Sequence, residues 1–446
     1  MLALIAGAVE DRTARGIAAA VSRLVTAGSL PSGARLPTVR DVARELGVSP
    51  TTVSEAWQSL TRAGAIQTRG RSGTFVGGLP RQRLRYAQLG GPSLGTDLST
   101  GVPDHDLLPD LTDALKRVGD GRLTTSYLDA PVLPALEDVL RDRWPFPPEQ
   151  VTVVDGAMDA LDRITAAVVR FGDHVLVENP AFPPVLDLLD TVGATVVGVP
   201  LDGSGLQPAA LLAALSEYRP TALYLQPRAH NPTGVSMTAE RAAALARILA
   251  DFPAVTVIED DHAGDIASAP PVSLGGYRPD RTVHVSSFSK SHGPDLRLAA
   301  VGGPAALVST VADRRLLGPG WSSRILQAVL LDLLTSAETT ARVAGARAEY
   351  ARRRDALLAA LAAHRVTATA PDGINMFLPV ADQQFAMVTL AAHGIAVAPG
   401  TPFRAAPLPT DHVRITVGLV RDGFDDLAAV LAGAARPRTR VVGGSR

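Results

Sequence analysis

The sequence has no cysteine among its 446 residues, which excludes disulfide bonds and thiolate metal sites. A chain without cysteine fits a reducing compartment, and we expect a cytoplasmic protein. The apolar stretch at the N terminus, MLALIAGAV, is short, has no basic flank and is followed by Glu10 and Asp11. We therefore expect neither a signal peptide nor a membrane span there.

Lysine is almost as scarce as cysteine, because Lys116 and Lys290 are the only two lysines in the chain. Arginine supplies nearly every other positive charge. Unlike a guanidinium, an ammonium group can lose its proton when it is desolvated and attack a carbonyl carbon to form a Schiff base. Lys290 lies in the stretch VHVSSFSKSHGPDLR, where two hydroxyls, Ser287 and Ser289, precede it and the permanent cation Arg297 follows it. Such neighbours suit a phosphate, although a leftover surface lysine in an arginine-rich chain is the alternative.

Length and composition predict two or three domains with a large core, since 46% of the residues are apolar. A net charge of −1 argues against a globally basic nucleic-acid binder. The average hides a local excess, because residues 1–78 contain nine arginines against five acidic residues. The N-terminal segment is therefore the candidate for contact with nucleic acid.

Within that segment, helix signals recur at short intervals. Apolar spacing predicts a helix from Thr13 to Thr26, Thr38 can cap a second helix that Gly47 ends, and Ser49-Pro50 opens a third. The following AIQTRGRSGTFV predicts a β-hairpin with its tip at residues 69–73. Two short helices joined by a glycine-containing turn and followed by a hairpin indicate a winged helix-turn-helix. Any three-helix packing unit would give similar apolar spacing, and that alternative stays open.

Residues 13–76 resemble the winged helix-turn-helix of GntR-family repressors, through the landmarks LPTVRDVARELGVSPTTV and GRSGTFV. The resemblance implies that DNA is contacted by side chains of the helices and of the wing, namely Arg40, Thr51, Thr52, Arg69 and Arg71. Pro50 departs from the pattern, because many relatives carry a DNA-contacting arginine there. We assign residues 1–78 to this α+β domain and expect residues 79–95 to form a solvated linker.

From Asp97 onward, helical stretches alternate with short β-branched runs that begin at residues 151, 174, 195, 222, 254 and 282. This alternation predicts a mostly parallel sheet with helices on both faces, and such sheets bind ligands at the carboxyl ends of their strands. Polar or glycine-containing stretches follow the strands there: Asp155-Gly156-Ala157-Met158, Pro-Ala-Phe182, RAHNPTG, Glu259-Asp260-Asp261-His262, and Ser287 with Lys290. Taken singly, a carboxylate that caps a helix or an Asn-Pro turn would explain each of them.

Taken in this order, the set resembles the fold-type I pyridoxal-phosphate (PLP) enzymes of the aminotransferase superfamily. The resemblance implies that Lys290 forms the internal aldimine with PLP and that Asp260 pairs with the pyridine nitrogen. Asn231 and His262 would approach the ring oxygen, and Phe182 would stack on the ring. The phosphate would be held by the amides of Gly156, Ala157 and Met158, the side chains of Ser287 and Arg297, and Tyr127 from across a dimer interface.

Two positions depart from the family pattern, and one arginine completes it. His262 replaces a tyrosine, and imidazole can donate the same hydrogen bond only in one tautomer or when charged. Asp129-Ala130-Pro131-Val132 replaces the usual glycine-containing turn after Tyr127. Arg414, inside the predicted strand HVRITV, is the family's bidentate partner for the α-carboxylate of an amino acid.

Together the two halves resemble the MocR subfamily of bacterial transcription regulators. The resemblance implies a multidomain chain: the winged helix-turn-helix, an α/β fold-type I aminotransferase-like PLP domain with a small α/β subdomain over residues 96–434, and a disordered tail over 435–446. Its expected partners are double-stranded operator DNA, an effector (an amino acid, an amine or PLP itself) and a second copy in a domain-swapped or head-to-tail homodimer. A working aminotransferase with a DNA-binding appendage is the alternative from another class.

Overall fold

The N-terminal unit forms three capped helices and a hairpin, as predicted. The computed structural model describes residues 1–31, 33–62, 65–68, 73–76, 84–89, 95–119 and 129–436. Its first elements are α1 Leu2–Ala8, α2 Ala14–Thr26, α3 Val39–Leu46, α4 Pro50–Arg62, and the antiparallel strands β1 Ile66–Thr68 and β2 Thr74–Val76. The side-chain oxygens of Thr13, Thr38 and Ser49 each accept a backbone N–H in the first turn of the helix that follows.

The opening apolar stretch belongs to this unit, because Ile5 of α1 is fully buried among the apolar side chains of α2, α3 and α4. Trp57 and Leu60 of α4 and Ile66 of β1 complete the same core. Within the described residues, no helix combines the length and the apolar character that crossing a bilayer requires. Burial of Ile5 therefore gives the N-terminal apolar residues a structural role in this unit.

The C-terminal unit is built on an eight-stranded sheet with strand order β4-β11-β10-β9-β8-β5-β6-β7. Its strands, and those of a smaller subdomain, are β3 Thr96–Asp97, β4 Gln150–Val154, β5 His174–Asn179, β6 Thr195–Asp202, β7 Gly205–Leu206, β8 Ala222–Leu225, β9 Thr256–Asp261, β10 Thr282–Ser287, β11 Ala299–Gly303, β12 Met376–Val380, β13 Ile395–Ala396, β14 Ala398–Pro399 and β15 Asp411–Ile415. The helices are α5 Thr112–Gly119, α6 Pro134–Asp142, α7 Ala157–Val168, α8 Pro183–Val192, α9 Pro208–Tyr218, α10 Ala239–Ala250, α11 Ala305–Leu316, α12 Arg324–Thr335, α13 Ala337–Ala363, α14 Gln383–Ala392 and α15 Phe424–Ala435.

The mostly parallel sheet that the sequence predicts is confirmed, since β6, β5, β8, β9 and β10 run parallel to their neighbours in that order. Successive residues of β5 point to opposite faces: Val175 and Val177 pack with α7 and α8, whereas Leu176 packs with α9 and α10. β11 was not predicted; it lies antiparallel between β10 and β4. The predicted small subdomain is confirmed as the sheet β12-β15-β14, which packs against α13, α14 and α15.

The described part of the linker is docked on the C-terminal unit, so the expectation of a solvated tether is wrong for residues 84–89. Arg85 donates through Nη1 to Asp187 at 3.0 Å and to Asp190 at 2.6 Å, both on α8. Leu89 is only 6% exposed and packs against Phe403. The predicted disordered tail lies almost entirely outside the described residues, which end at residue 436.

The two units also touch each other directly. Arg15 of α2 forms an ion pair with Asp173, which lies just before β5. Beside it, Phe171 of the C-terminal unit packs against the apolar core of the N-terminal unit. The helix-turn-helix is therefore in contact with the domain that carries Lys290.

Candidate functional site

The side chains predicted from the strand ends meet in one cavity of about 580 Å³ at the carboxyl edge of the large sheet. Its lining includes ten of the predicted residues: Ala157, Met158, Phe182, Asn231, Asp260, His262, Ser287, Lys290, Arg297 and Arg414. The volume is in the range of small-molecule sites in proteins. The structure therefore brings these residues together, although they are up to 257 positions apart in the chain.

Lys290 lies three residues beyond the end of β10 and points into this cavity. Its Nζ donates a hydrogen bond of 2.6 Å to the carbonyl oxygen of Gly101. Burial and, to a lesser extent, the positive charge of Arg414 lower the pKa of Lys290 to about 8, although Asp260 opposes them. The amine therefore reaches its neutral, nucleophilic form at a pH well below that of an exposed lysine.

Asp260, near the end of β9, holds one carboxylate oxygen ready for a ligand. Its Oδ2 accepts a 2.8 Å hydrogen bond from Nε2 of Gln226, whereas the buried Oδ1 has no hydrogen-bond partner in the described structure. A buried acceptor without a donor costs free energy, and a pyridinium N–H would satisfy it. Burial raises the pKa of Asp260 and nearby His262 opposes that rise. The chemistry of this position fits PLP.

The neighbours of the expected ring oxygen are Asn231 and His262. Asn231 is held by its backbone N–H, which donates 2.8 Å to Oε1 of Gln226. His262 Nε2 lies 2.9 Å from the carbonyl oxygen of Ala229. Because a carbonyl can only accept, Nε2 carries the hydrogen, and Nδ1 of the neutral ring is an acceptor. Burial lowers the pKa of His262, so donation from Nδ1 would require a charge that the site disfavours.

The expected phosphate end is formed by the start of α7. Gly156 caps this helix with φ of +98°, a conformation that favours glycine, and a Cβ there would lie 3.2 Å from Nη2 of Arg297. Arg297 Nη2 donates to the carbonyl oxygen of Asp155 at 3.3 Å. Ala157 and Met158 of this first turn line the cavity together with Arg297 and Ser287, a set of donors suited to an anion.

Arg414 lies in β15, lines the same cavity as Lys290 and is only 1% exposed. It donates to the carbonyl oxygen of Ser99, and its guanidinium carbon lies 5.5 Å from the centre of the Phe403 ring. A Cβ on Gly101 would approach Arg414 Nη1 to 2.5 Å, and φ there is +66°. Glycine is thus needed at position 101 to admit Arg414, and the backbone carbonyl of the same residue accepts from Lys290.

Among the residues of this site that the sequence analysis missed are Gly101, Gln226 and Leu89. Gln226 follows β8 and bridges Asp260 to Asn231, so the strand-end argument that found Asp260 could have found it. Gly101 and Leu89 give no comparable signal, because they reach the cavity from segments outside the large sheet. The predicted Tyr127 lies outside the described residues.

The predicted DNA-contacting residues of the helices lie on the surface of the N-terminal unit. Arg40 in the first turn of α3 and Thr51 in the first turn of α4 are exposed. The hydroxyl of Thr52 is 2.8 Å from that of Ser49, so it takes part in capping α4. Arg35, which was not predicted, lies beside the hairpin, with Nε 3.0 Å from the position of a Cβ on Gly73. Arg69 and Arg71 lie outside the described residues.

Comparisons with known proteins agree with this two-part architecture. Residues 95–431 match the family model of aminotransferase class I and II, and residues 13–76 match that of bacterial regulatory proteins, gntR family. The vitamin B6 salvage pathway transcriptional repressor PtsJ of Salmonella typhimurium is 36% identical over 428 residues, which cover 94% of this chain and 98% of that protein. The HTH-type transcriptional regulator TauR of Rhodobacter capsulatus is 30% identical over 432 residues, 86% of this chain and 88% of that protein.

Among solved structures, the aspartate aminotransferase of Thermus thermophilus with maleate is similar in fold. Its TM-score is 0.68 at 24% identity, with 77% of this chain and 92% of that chain covered. At this identity the likeness concerns the fold alone.

Proposed function

Since the chain belongs to the MocR subfamily of GntR-family transcription regulators, whose C-terminal domain is a PLP-binding aminotransferase-like domain, we propose that PLP held at Lys290 controls DNA binding by the N-terminal unit. The observation that carries this proposal is one cavity that contains both Lys290, with its pKa lowered to about 8, and Asp260, with one buried oxygen unpaired. PLP supplies an aldehyde that condenses with a primary amine and a ring nitrogen that pairs with a carboxylate.

The predicted residues of the cavity would then have separate roles toward PLP. Neutral Lys290 would be the nucleophile, and Asp260 would hold the ring nitrogen in its protonated state. Asn231 would donate to the ring oxygen, Phe182 would cover one face of the ring, and neutral His262 would pack beside it without donating. The first turn of α7 from Gly156 to Met158, together with Ser287 and Arg297, would bind the phosphate.

We propose PLP itself as the effector, because PtsJ, which covers nearly the whole chain at 36% identity, is a repressor of vitamin B6 salvage. Few contacts separate the cavity from the helix-turn-helix. The linker residue Arg85 pairs with Asp187 and Asp190 of α8, the helix that Phe182 begins. The helix-turn-helix itself contacts the C-terminal unit through Arg15, Asp173 and Phe171. A shift of α8 on ligand binding would change how the two units dock. The coupling free energy between ligand binding and DNA binding in such switches is typically about 1–3 kcal/mol.

Arg414 favours a second candidate, in which an amino acid or amine displaces Lys290 from PLP and is the signal. A guanidinium that is 1% exposed and faces the same cavity as Lys290 is suited to a carboxylate. Arg414→Ala would then abolish the spectral response to amino acids while the PLP band persists. An unchanged titration in that variant would leave PLP, or an amine without a carboxylate, as the signal.

We also propose that the protein binds operator DNA as a homodimer, head-to-tail or domain-swapped, with Tyr127 completing the partner's phosphate site. Helix-turn-helix dimers read two half-sites about one helical turn apart, so two copies would double the contact made by Arg40 and Thr51. Molecular mass in solution, measured by light scattering, tests this point. A monomer that still protects a two-fold symmetric site would contradict it.

A regulator and a working aminotransferase are separated by two measurements on the same preparation. We expect a specific footprint on DNA upstream of the gene, and transamination over an amino-acid panel far below the ~10 per second typical of enzymes. Brisk turnover with no specific footprint would instead establish the aminotransferase with a DNA-binding appendage.

A further inference from the structure

One wall of the cavity is formed by the linker that joins the two units. Leu84 and Leu89, which flank the short helical turn Arg85–Gln88, both line the cavity, as do the apolar side chains of Val102 and of Leu188 on α8. Leu84 is 54% exposed, which leaves apolar surface for a ligand to cover. We propose that this linker wall selects the side chain of an amino acid that joins PLP in the cavity, and that it accepts an uncharged, apolar side chain. The inference rests on the proposed binding of PLP at Lys290.

Two contacts fix the wall relative to the residues that bind the rest of the ligand. Arg85 is held by Asp187 and Asp190, one turn apart on α8. Leu89 packs in a small apolar cluster with Phe403, whose ring lies beneath the guanidinium of Arg414. A ligand whose carboxylate is bound by Arg414 would therefore lie in the same cavity as Leu84 and Leu89, within reach of the linker.

The charges that line the cavity argue for an uncharged side chain. The cations among its described lining residues are Lys290, Arg297 and Arg414, and the proposed function uses them for the aldehyde, the phosphate and the α-carboxylate. None of these three remains for a second carboxylate. Of the acidic residues near the wall, Asp187 already accepts from Arg85, and Asp162 is exposed to water. A distal ammonium would therefore gain little over its solvation in water.

The test uses the full-length protein loaded with PLP and titrates it with L-leucine, L-glutamate and L-lysine while the visible spectrum is recorded. We expect L-leucine to half-saturate the spectral change at a concentration roughly tenfold lower than L-glutamate or L-lysine. Leu84→Arg should bring L-glutamate to within threefold of L-leucine or below it, and Leu84→Glu should do the same for L-lysine. Leu212→Arg is the matched control, because Leu212 is a leucine of similar exposure on α9, away from the cavity.

Opposite gains from two substitutions at one position could not arise from misfolding. Three results would overturn the proposal that the linker wall selects the side chain. They are a wild-type preference for a charged amino acid, the absence of any response to amino acids, and unaltered preferences in both Leu84 variants. In each of those cases the PLP band would still form, and the proposed function would survive. A wild-type protein that takes up no PLP would instead overturn the proposed function, and with it the proposal that the linker wall selects the side chain.

Discussion

The cofactor pocket holds Asp260 and Arg414 buried and already oriented by other protein groups, whereas the DNA-binding unit presents Arg40 and Thr51 to water at the starts of short helices. In the pocket, Gln226 fixes Asp260 and Asn231, and Gly101 receives Lys290. A single substitution among such buried groups should have a large effect, because removing one group leaves its hydrogen-bond partner unsatisfied. Exposed phosphate contacts add up in small, salt-dependent steps. Substitutions in the two regions should therefore differ in size and in kind.

The largest effect is expected at Lys290. Lys290→Ala should abolish the visible PLP band and the attachment of PLP after borohydride reduction, because no other described residue offers an amine in the cavity. Lys116→Ala is the matched control: Lys116 is the other lysine, is 72% exposed and lies on α5. Peptide mass spectrometry after reduction reads out both variants. Labelled Lys116 peptide in the wild type, with Lys290 unmodified, would contradict the assignment.

Asp260→Asn should weaken PLP binding next most severely. The amide keeps an acceptor for Gln226 but loses the negative charge opposite the ring nitrogen, and breaking a buried ion pair typically costs about 3–5 kcal/mol. Equilibrium dialysis against PLP measures the loss. Asp162→Asn removes an exposed carboxylate at the rim of the same cavity and should leave affinity within about twofold. Equal affinity in wild type and Asp260→Asn would mean that Asp260 does not face the ring nitrogen.

The pH dependence of PLP uptake sharpens the role of burial at Lys290. Since the pKa is lowered to about 8, the neutral amine population rises roughly tenfold per pH unit below pH 8 and saturates above it. The rate of band formation on apoprotein in stopped flow should follow that curve. An exposed lysine would keep gaining rate up to a pH of about 10. A rate still rising steeply between pH 9 and 10 would show that burial does not tune this amine.

The smallest effect is expected on the DNA-binding surface. Arg40→Ala should weaken binding to the upstream region and lower the slope of log affinity against log salt by about 0.9 for the lost phosphate contact. Its PLP spectrum should be unchanged. Arg281→Ala, an exposed arginine just before β10, serves as the control and should alter neither slope nor spectrum. An unchanged slope in Arg40→Ala would remove this residue from the interface.

Much of this structure could be predicted from local sequence signals, whereas the rest depends on contacts between distant segments. Thr38, Ser49 and Gly47 mark helix ends through bonds to residues a few positions away, so sequence alone could find them. The rule that ligands bind at strand ends likewise brought Asp260 and Lys290 together. In contrast, the role of Gly101 depends on its contacts with Arg414 and Lys290, which lie 313 and 189 positions further along the chain. No local pattern records such a contact.

The docking of the linker could not be predicted from its local sequence either. Its glycines, prolines and arginines are typical of a solvated segment, and only the fold shows that Asp187 and Asp190 present paired carboxylates to Arg85. His262 is a further case, because sequence left two ways for its ring to donate, and the carbonyl oxygen of Ala229 leaves only the charged form. In both positions the deciding partner comes from a different element of the fold.

The central claim, that PLP at Lys290 controls DNA binding, is tested most directly by titrating full-length protein with DNA from its own upstream region, with and without saturating PLP. For the wild type we predict that PLP changes operator affinity by about 5- to 150-fold, the usual range of allosteric coupling. For Lys290→Ala we predict binding of the same DNA with no change on adding PLP. Identical wild-type affinity with and without PLP, in protein whose visible band shows full loading, would contradict the claim.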